Sequence, residues 1–429
     1  MNYKQTIEFL YSSLPAYHRI GKAAYKNDLA NTIALDDHFS HPHTKYKTIH
    51  IAGTNGKGSV SHITASVLQA AGWKTGLYTS PHLKDFRERI RVNGKMISRE
   101  EVIQFVKSNR DIIEKIKPSF FELTVAMAFD FFYRQEVDVA VIETGLGGRL
   151  DSTNIILPVL SVITNIGHDH MDLLGNSLEK VAGEKAGIIK KHIPVIIGET
   201  QKESKEVFIR KAREMEAPVY FADTRFRCSL EEWNPGSSYR KFSVKDLTDN
   251  SSFNGTIPLP GNYQLKNIQT LFQVFNVLDS GFGISEKTVK TGIRNVIRNT
   301  GLMGRWQVIG KDPLTICDTG HNKEGIEYVT RQIEMTPSTG LHMVIGFVSD
   351  KDLSEILPLL PKKAKYYFTR AEVERALDEN LLKMKAGEYG LEGKSYATVK
   401  EALAAARTAA ATSDLVFVGG SNFIVAGVV

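Results

Sequence analysis

The chain has few cysteines and no long uncharged apolar stretch. Its 429 residues include two cysteines, Cys228 and Cys317, which lie far apart and form no Cys-x-x-Cys pair. We therefore expect neither a disulfide framework nor a cysteine-based zinc site. No uncharged apolar run approaches membrane-spanning length, and the apolar part of the N-terminus is interrupted by charged and polar residues, unlike a signal peptide. These features predict a cytoplasmic protein that does not contact a membrane.

Blocks of consecutive lysines and arginines are also missing. The formal net charge is +6 over 429 residues, a mild excess that suits an anionic substrate, and no basic arm indicates nucleic acid. Hydrophobic residues make up 42% and charged residues 24%, as in ordinary globular proteins. A chain of this length exceeds one ordinary core, so two or more domains are expected.

The first 300 residues alternate between two kinds of periodicity. Amphipathic helical patterns, such as residues 98–117, lie between short β-branched runs that are typical of buried strands. This alternation predicts a doubly wound α/β sheet. The predicted strands cover residues 46–52, 137–144, 159–166 and 193–198.

Further along, residues 223–262 are rich in turn formers and predict a small antiparallel β insert. Residues 262–278 and 401–412 have helical patterns. A second alternation then predicts a smaller Rossmann-like α/β domain, with strands at 313–318, 341–347, 365–369 and 414–420. We therefore predict a first domain over 1–297, a linker at 298–304 and a smaller second domain over 305–429.

The segment HIAGTNGKGSVS, residues 50–61, has the pattern of a phosphate-binding loop. A strand, a glycine-rich turn and a helix start follow one another, so backbone N–H groups and the helix N-terminus favour an anion. Lys57 can reach phosphates and Ser59 can ligate Mg²⁺, although Gly58 separates them, unlike the usual loop. The expected nucleotide-binding residues of this loop are Thr54, Asn55, Gly56, Lys57, Gly58 and Ser59.

Seven further motifs follow this loop in order. They are TSPHLKDFRERIRVNG (79–94), ETGLGGRLDSTN (143–154), TNIGHDHMDLLG (164–175), GEKAGIIK (183–190), GNYQLKN (261–267), GRW (304–306) and DTGHN (318–322). Together with GTNGKGS they resemble the folate branch of the Mur ligase superfamily. The similarity runs from about residue 10 to the C-terminus. It points to the folylpolyglutamate synthase family in its bifunctional bacterial form, which is also dihydrofolate synthase.

The resemblance implies two Mg²⁺ sites with Ser59, Ser80, Glu143 and His170 as ligands. Glu143 ends an apolar strand, where a carboxylate faces the ligand crevice of an open sheet, and Mg²⁺ prefers such oxygen ligands. The resemblance assigns His170 rather than His168. It also implies that Lys185 is carbamylated, which a desolvated, neutral lysine allows. The catalytic residues are expected to be Lys57, His170 and Lys185.

Other nucleotide contacts implied by the resemblance are Asn267, Arg305, Asp318 and His321. Tyr263 stands where the family usually has histidine. The acceptor substrate is expected at Ser80, Pro81, His82, Phe121, Arg149 and Asp151. The pair Phe120 and Phe121 has an alternative interpretation, because aromatic residues at helical spacing more often belong to the core.

The reaction implied is ATP-dependent ligation of L-glutamate to dihydropteroate or to the glutamate tail of tetrahydrofolates, by a monomer, through an acyl phosphate. Three alternatives remain at this point. A peptidoglycan-precursor Mur ligase normally carries another domain before the loop, which here begins near residue 53. A P-loop kinase or nucleotide switch does not need the second domain. A non-catalytic nucleotide-binding module does not need Lys57, Glu143, His170 and Lys185 together.

Overall fold

A computed structural model describes residues 1–15 and 28–429. By its contacts the chain divides into two compact units. The first contains residues 1–231, 241–258 and 264–302, within the described part of the chain. The second contains residues 232–240, 259–263 and 303–429.

The first unit is built on an eight-stranded sheet in the order β4-β3-β2-β5-β1-β6-β7-β8. Strands β1, β2 and β5 to β8 are parallel, whereas β3 and β4 add an antiparallel edge. The central strands are buried on both faces, which explains why their sequences are mostly apolar and rich in β-branched residues. The strands are β1 Lys47–Ala52, β2 Thr75–Tyr78, β3 Ile90–Val92, β4 Lys95–Met96, β5 Val139–Glu143, β6 Leu160–Ile163, β7 Val195–Ile197 and β8 Val219–Phe221.

A small antiparallel sheet, in the order β11-β10-β9, confirms the predicted β insert. Its strands are β9 Phe226–Leu230, β10 Arg240–Asp246 and β11 Ser252–Ile257. Helices cover the sheets of this unit, with apolar clusters beneath them. They are α1 Tyr3–Ser12, α2 Ala30–His38, α3 Lys57–Ala70, α4 Arg99–Ser108, α5 Arg110–Ile116, α6 Phe120–Arg134, α7 Met171–Leu174, α8 Leu178–Ala186, α9 Lys205–Glu214, α10 Ala222–Arg225, α11 Gln264–Phe282, α12 Glu286–Arg294 and α13 Val296–Thr300.

The second unit has a six-stranded sheet in the order β12-β13-β17-β14-β15-β16, parallel except for the edge strand β12. Its core surrounds the fully buried Trp306. The strands are β12 Gln307–Lys311, β13 Leu314–Cys317, β14 Leu341–Ile345, β15 Lys365–Thr369, β16 Gly393–Tyr396 and β17 Leu415–Gly419. The helices are α14 Lys323–Met335, α15 Leu353–Ile356, α16 Glu379–Gly387, α17 Val399–Ala409 and α18 Asn422–Ala426. Two α/β units with a β insert confirm the predicted fold class.

One local prediction was wrong, and a second one differs from the structure only at its start. The single helix expected over 98–117 is divided at Asn109, whose side-chain Nδ2 donates to the carbonyl of Phe105 at 2.8 Å and ends α4. The expected linker at 298–304 contains the boundary between the two units, after Leu302, but its first residues belong to α13. This helix ends at Gly301, which adopts the left-handed conformation (φ +68°) that stops a helix. Both boundaries depend on single capping residues that an apolar periodicity does not reveal.

None of the helices in the described residues has the length and apolar character needed to cross a membrane.

Helices α3 and α12 approach each other at Gly292, and this contact gives a test of the fold. A Cβ atom on Gly292 would lie 2.5 Å from Val67 Cα, so Gly292→Ala must push two backbones apart. We expect it to lower the free energy of unfolding by about 1–3 kcal/mol in urea titrations. The control is Gly281→Ala in α11, where no described atom lies within 4 Å of the new methyl group. That variant should gain about 0.5–1 kcal/mol from helix propensity, and a shift of both variants in one direction would contradict the packing argument.

Candidate active site

The phosphate-binding loop leaves the central strand β1 and enters α3. Gly53 has φ +146°, and a Cβ atom there would lie 1.8 Å from the hydroxyl oxygen of Thr164. Only glycine fits this position, because the loop passes directly against the end of β6. Gly56, also at positive φ (+84°), precedes the first residue of α3, Lys57. The helix N-terminus therefore lies at the end of the loop, as anion binding requires.

The segment after β6 fixes the loop from the side. The backbone N–H of Thr54 donates to the carbonyl of Asn165 at 3.0 Å. The N–H of Asn55 donates to the Asn165 side chain at 2.9 Å, and the Thr164 hydroxyl donates to the Asn55 carbonyl at 2.6 Å. The N–H of Gly167 donates to the Thr54 hydroxyl at 2.9 Å. These bonds hold the loop beside the HDH sequence at 168–170.

Two lysine ammonium groups meet at one carbonyl of the loop. Lys57 Nζ donates to the carbonyls of Gly53 (2.9 Å) and Thr54 (3.1 Å). Lys185 Nζ, from α8, donates to the same Gly53 carbonyl at 2.9 Å. Lys185 is 4% exposed. Burial, and next the charge of Lys57, lower the pKa of Lys185 to about 7. A lysine with this pKa is partly neutral, and therefore nucleophilic, near pH 7.

Glu143 lies on the strand next to the loop. It pairs in register with Ile51 of β1 and is 3% exposed. Its carboxylate accepts the backbone N–H of Ser80 at 3.2 Å, which brings the SPH segment to the end of β5. Ser59 is buried in the first turn of α3. A buried carboxylate and serine hydroxyl groups provide the hard oxygen atoms that suit Mg²⁺.

His170 lies directly before α7 with a left-handed backbone (φ +53°). Its backbone N–H donates to the Asp169 carboxylate at 3.1 Å, and its Nε2 lies 3.8 Å from that side chain. Over residues 1–15 and 28–429, no three side chains of histidine, cysteine, aspartate and glutamate form a ready metal cluster. The expected ligand set relies on hydroxyl groups as well, and it stays a prediction.

Asp151 stabilises the loop in which it lies. Its carboxylate accepts the N–H groups of Gly145 and Leu146 at 2.9 and 2.8 Å, and it also accepts the hydroxyl of Thr153 at 2.5 Å. The Thr153 hydroxyl in turn lies 2.8 Å from His50 Nε2. Burial raises the pKa of Asp151 above its ordinary value, against these hydrogen bonds. The side chain thus shapes the GLGG turn, and its expected contact with the acceptor stays a prediction.

Arg149 of the same loop forms an ion pair with Glu184, at 2.9 Å between Nη2 and Oε1. Glu184 directly precedes Lys185, so this pair links the loop after β5 to α8. The side chain of Arg149 is 56% exposed, which leaves it accessible to an anionic ligand.

The two residues of the aromatic pair differ in burial, and the expected contact of Phe121 with the acceptor stays a prediction. Phe120 is 3% exposed and belongs to the core. Phe121 is partly buried and packs against Gly145, where a Cβ atom would lie 2.4 Å from its ring.

His82, which follows the exposed Pro81, accepts a hydrogen bond from Arg89 Nε at 2.7 Å. Because arginine only donates, the Nδ1 atom of His82 is unprotonated.

In the second unit, Asp318 is buried and organises the start of the DTGHN motif. Its carboxylate accepts the hydroxyl of Tyr263 at 2.6 Å, the N–H of Trp306 at 2.7 Å and the N–H of Gly320 at 2.8 Å. Burial raises the pKa of Asp318 despite these bonds. Tyr263, which replaces the family histidine, is therefore a partner of Asp318.

Two more predicted residues lie close by in this unit. The Arg305 guanidinium donates to the hydroxyl of Thr319. His321 Nδ1 lies 2.9 Å from the Thr319 carbonyl. Arg305, Asp318 and His321 are thus neighbours around one turn.

Sequence reasoning missed two residues that support the phosphate loop. Asn165 braces it after β6, and Gln264 donates from Nε2 to the Ser59 hydroxyl at 3.3 Å. The available signal was a polar amide directly after a buried strand or at a helix start, inside a motif already recognised. A buried side-chain amide almost always forms hydrogen bonds, so an amide at such a position indicates that it supports a neighbouring segment.

Comparisons with known proteins identify two domains of one superfamily in this chain. Residues 51–272 match the Mur ligase middle domain, and residues 304–422 match the Mur ligase glutamate ligase domain. Matches to both domains favour a ligase over the kinase, switch and binding-module alternatives.

Individual relatives specify the branch. The dihydrofolate synthase/folylpolyglutamate synthase of Bacillus subtilis is 34% identical over 79% of this chain and 80% of its own length. The structure of Escherichia coli FolC in complex with DHPP and ADP is similar, with TM-score 0.84 and 28% identity, over 99% of this chain and 96% of that one. A bifunctional folylpolyglutamate synthase/dihydrofolate synthase with Mn, AMPPNP and L-glutamate bound has TM-score 0.83 and 26% identity, over 99% and 97% of the two chains. The chain therefore belongs to the folylpolyglutamate synthase/dihydrofolate synthase family of the Mur ligase superfamily, a family of ATP-dependent ligases.

Proposed function

We propose that this chain joins L-glutamate to the carboxyl group of dihydropteroate, and to the glutamate tail of reduced folates, with conversion of ATP to ADP and phosphate. One observation carries the proposal. Lys57 and Lys185 converge on the Gly53 carbonyl of a phosphate loop whose neighbouring strand ends in the buried Glu143. The relatives' names and the ligands in their structures support the same reaction.

The chemistry needs activation because a carboxylate is a poor electrophile. A carboxylate oxygen of the acceptor attacks the γ-phosphorus of ATP, the bond to the ADP oxygen breaks, and an acyl phosphate forms. The neutral amine of L-glutamate then attacks the acyl carbon, loses a proton, and phosphate leaves. Catalysis consists of positioning and charge stabilisation, so no protein nucleophile is required.

The chain's own groups supply that stabilisation. The N–H groups at the start of α3 and the Lys57 ammonium hold the transferring phosphoryl group in line. Ser59, Ser80, Glu143 and His170 would hold two Mg²⁺ ions. A bound divalent ion neutralises charge on the phosphate oxygens. The relative with bound Mn supports a divalent-ion requirement.

Lys185 is proposed to be carbamylated. Its pKa of about 7 leaves a substantial neutral fraction at physiological pH. The free amine adds to CO₂ with loss of one proton, which converts a buried cation into an anion with two oxygen atoms. The carbamate on Lys185 would face the Lys57 ammonium, whose positive charge stabilises an anion at this position.

The remaining roles follow the family. Asn267, Arg305, Asp318 and His321 would contact the nucleotide, and the segment Ser80–Pro81–His82, Phe121, Arg149 and Asp151 would contact the acceptor. We propose that the protein acts as a monomer in the cytoplasm.

The test is phosphate release by the purified chain with ATP, Mg²⁺, L-glutamate and an acceptor. Dihydropteroate and tetrahydrofolate are compared as acceptors, with each component omitted in turn. We expect phosphate release only in the complete mixtures, and activity with both acceptors. Release that does not depend on glutamate would reject the ligase, whereas activity with one acceptor only would limit the proposal to that reaction.

A further inference from the structure

Gln264 is the first residue of α11, and none of its surface is exposed to solvent. A buried side-chain amide is costly unless both of its ends form hydrogen bonds. Here both ends are bonded. Its Oε1 accepts from Asn267 Nδ2 at 2.8 Å, and its Nε2 donates to Ser59 Oγ at 3.3 Å. Gln264 therefore connects α11 to the first turn of the phosphate-loop helix.

The orientation of this amide follows from its neighbours. Asn267 directs its Oδ1 toward the loop, where a Cβ atom on Gly56 would lie 2.3 Å from that oxygen. Its Nδ2 is then the atom that faces Gln264. If the Gln264 amide were turned over, two NH₂ groups would face each other. The donors accordingly run in one direction, from Asn267 to Gln264 to Ser59.

The direction of these hydrogen bonds determines which lone pair and which proton of the Ser59 hydroxyl remain available to a ligand. A serine hydroxyl has one proton and two lone pairs. Gln264 occupies one lone pair, so the other lone pair and the proton remain for ligands. A lone pair for a divalent cation and a proton for a phosphate oxygen are the two contacts that the metal–nucleotide complex needs from a phosphate-loop serine.

We propose that Gln264 is a positioning residue, which presets the Ser59 hydroxyl for the metal–nucleotide complex through the hydrogen-bonded chain Asn267–Gln264–Ser59. In this role Gln264 contacts none of the substrates and acts only through Ser59. The proposal rests on the proposed function, since it assigns Ser59 to the metal and nucleotide. It adds a support that neither the phosphate-loop pattern nor the expected ligand set includes.

The experiment measures binding rather than turnover. The dissociation constant of a fluorescent ATP analogue is determined with Mg²⁺ and with EDTA, and the ratio gives the gain due to Mg²⁺. Gln264→Met keeps the length of the side chain but cannot donate to Ser59. We expect it to reduce the Mg²⁺-dependent gain about tenfold or more, as loss of a support for a metal ligand does, with binding in EDTA changed less than about threefold.

Gln264→Glu is the second variant, for the case that Gln264→Met does not fold. It keeps the shape and the acceptor for Asn267, but it draws the Ser59 proton toward itself. It should lower kcat by a larger factor than it changes KM for ATP. The matched control is Gln273→Met on the same helix. Gln273 is also buried, and its Nε2 has no hydrogen-bond partner among the described residues, so the Mg²⁺-dependent gain should not change.

A double-mutant cycle separates positioning from mere packing. If Gln264 acts through Ser59, adding Gln264→Met to Ser59→Ala should cost no further Mg²⁺-dependent affinity. Full additivity, or an unchanged gain in Gln264→Met, would overturn the proposal while leaving the ligase intact. A wild-type chain that does not bind the nucleotide with Mg²⁺ would overturn the proposed function and this inference together.

Discussion

Lys57→Ala is expected to lower kcat about 10²–10³-fold, the range found when one preorganised donor to a developing charge is removed. The ammonium lies at the loop, bonded to the carbonyls of Gly53 and Thr54, from where it can reach a phosphate. Those two hydrogen bonds belong to a partly exposed side chain, so the free energy of unfolding should fall by about 1–3 kcal/mol. Steady-state kinetics and urea unfolding of the same preparation measure the two effects.

The control for this variant is Lys191→Ala, which removes an exposed lysine that pairs with Glu216 at 3.7 Å. It should leave both kcat and stability nearly unchanged. If Lys57→Ala retains more than about a tenth of the wild-type kcat, the phosphate loop does not hold the transferring group as described.

Lys185→Met is expected to abolish activity and, unusually for a buried position, to make the protein more stable near neutral pH. We expect activity to be lost because the proposed carbamate could not form on methionine. Stability is gained because burial and the charge of Lys57 disfavour the protonated amine in the folded state, where its pKa is about 7. A methionine of similar length has no such penalty, although the Gly53 carbonyl loses one donor.

The sign of the pH dependence follows from the lowered pKa. Between pH 7 and the ordinary lysine value of 10.5, the unfolded chain binds a proton that the folded chain does not. Above pH 10.5 Lys185 does not reduce the free energy of unfolding of the wild-type protein. Between pH 10.5 and about 7 this free energy decreases as the pH is lowered, because the unfolded chain gains a proton first. A shift of this size corresponds to roughly 5 kcal/mol as an upper bound. The stability advantage of Lys185→Met should thus grow as the pH is lowered from about 10 to about 7.

Urea unfolding at about pH 7 and about pH 9.5 in CO₂-free buffer measures this difference. Lys180→Met, an exposed position on the same helix α8, is the control and should show no pH-dependent difference from wild type. An advantage for Lys185→Met that is equal at both pH values would mean that Lys185 has an ordinary pKa in the folded protein.

Much of the fold was predictable because its central strands are buried on both faces. Strands β1, β5 and β6 each lie in a short, mostly apolar run rich in β-branched residues, and within an alternating α/β pattern such a run indicates a buried strand. The strands that were missed are short or lie near sheet edges. Strand β3 is three residues long with Arg91 at its centre, and β16 has the sequence GKSY. Their extended form comes from pairing with neighbours, which a local pattern does not contain.

The candidate site divides in the same way. The sequence located the loops, because a glycine-rich turn after a strand can be recognised from one short segment of the chain. It did not locate the contacts between segments. Lys185 bonds to a carbonyl 132 residues earlier in the chain, and Gln264 bonds to a serine 205 residues earlier. Whether Asp151 faces a ligand or stabilises its own turn also depends on local geometry that the motif alone leaves open.

The central claim is that phosphate passes from ATP to a carboxylate before the amide bond forms. Isotope transfer tests it directly: dihydropteroate labelled with ¹⁸O in its carboxylate is converted by the enzyme with ATP, Mg²⁺ and L-glutamate. The acyl-phosphate route predicts that one labelled oxygen per turnover leaves in inorganic phosphate and the other stays in the amide product. Inorganic phosphate that carries no label at full conversion would contradict the account.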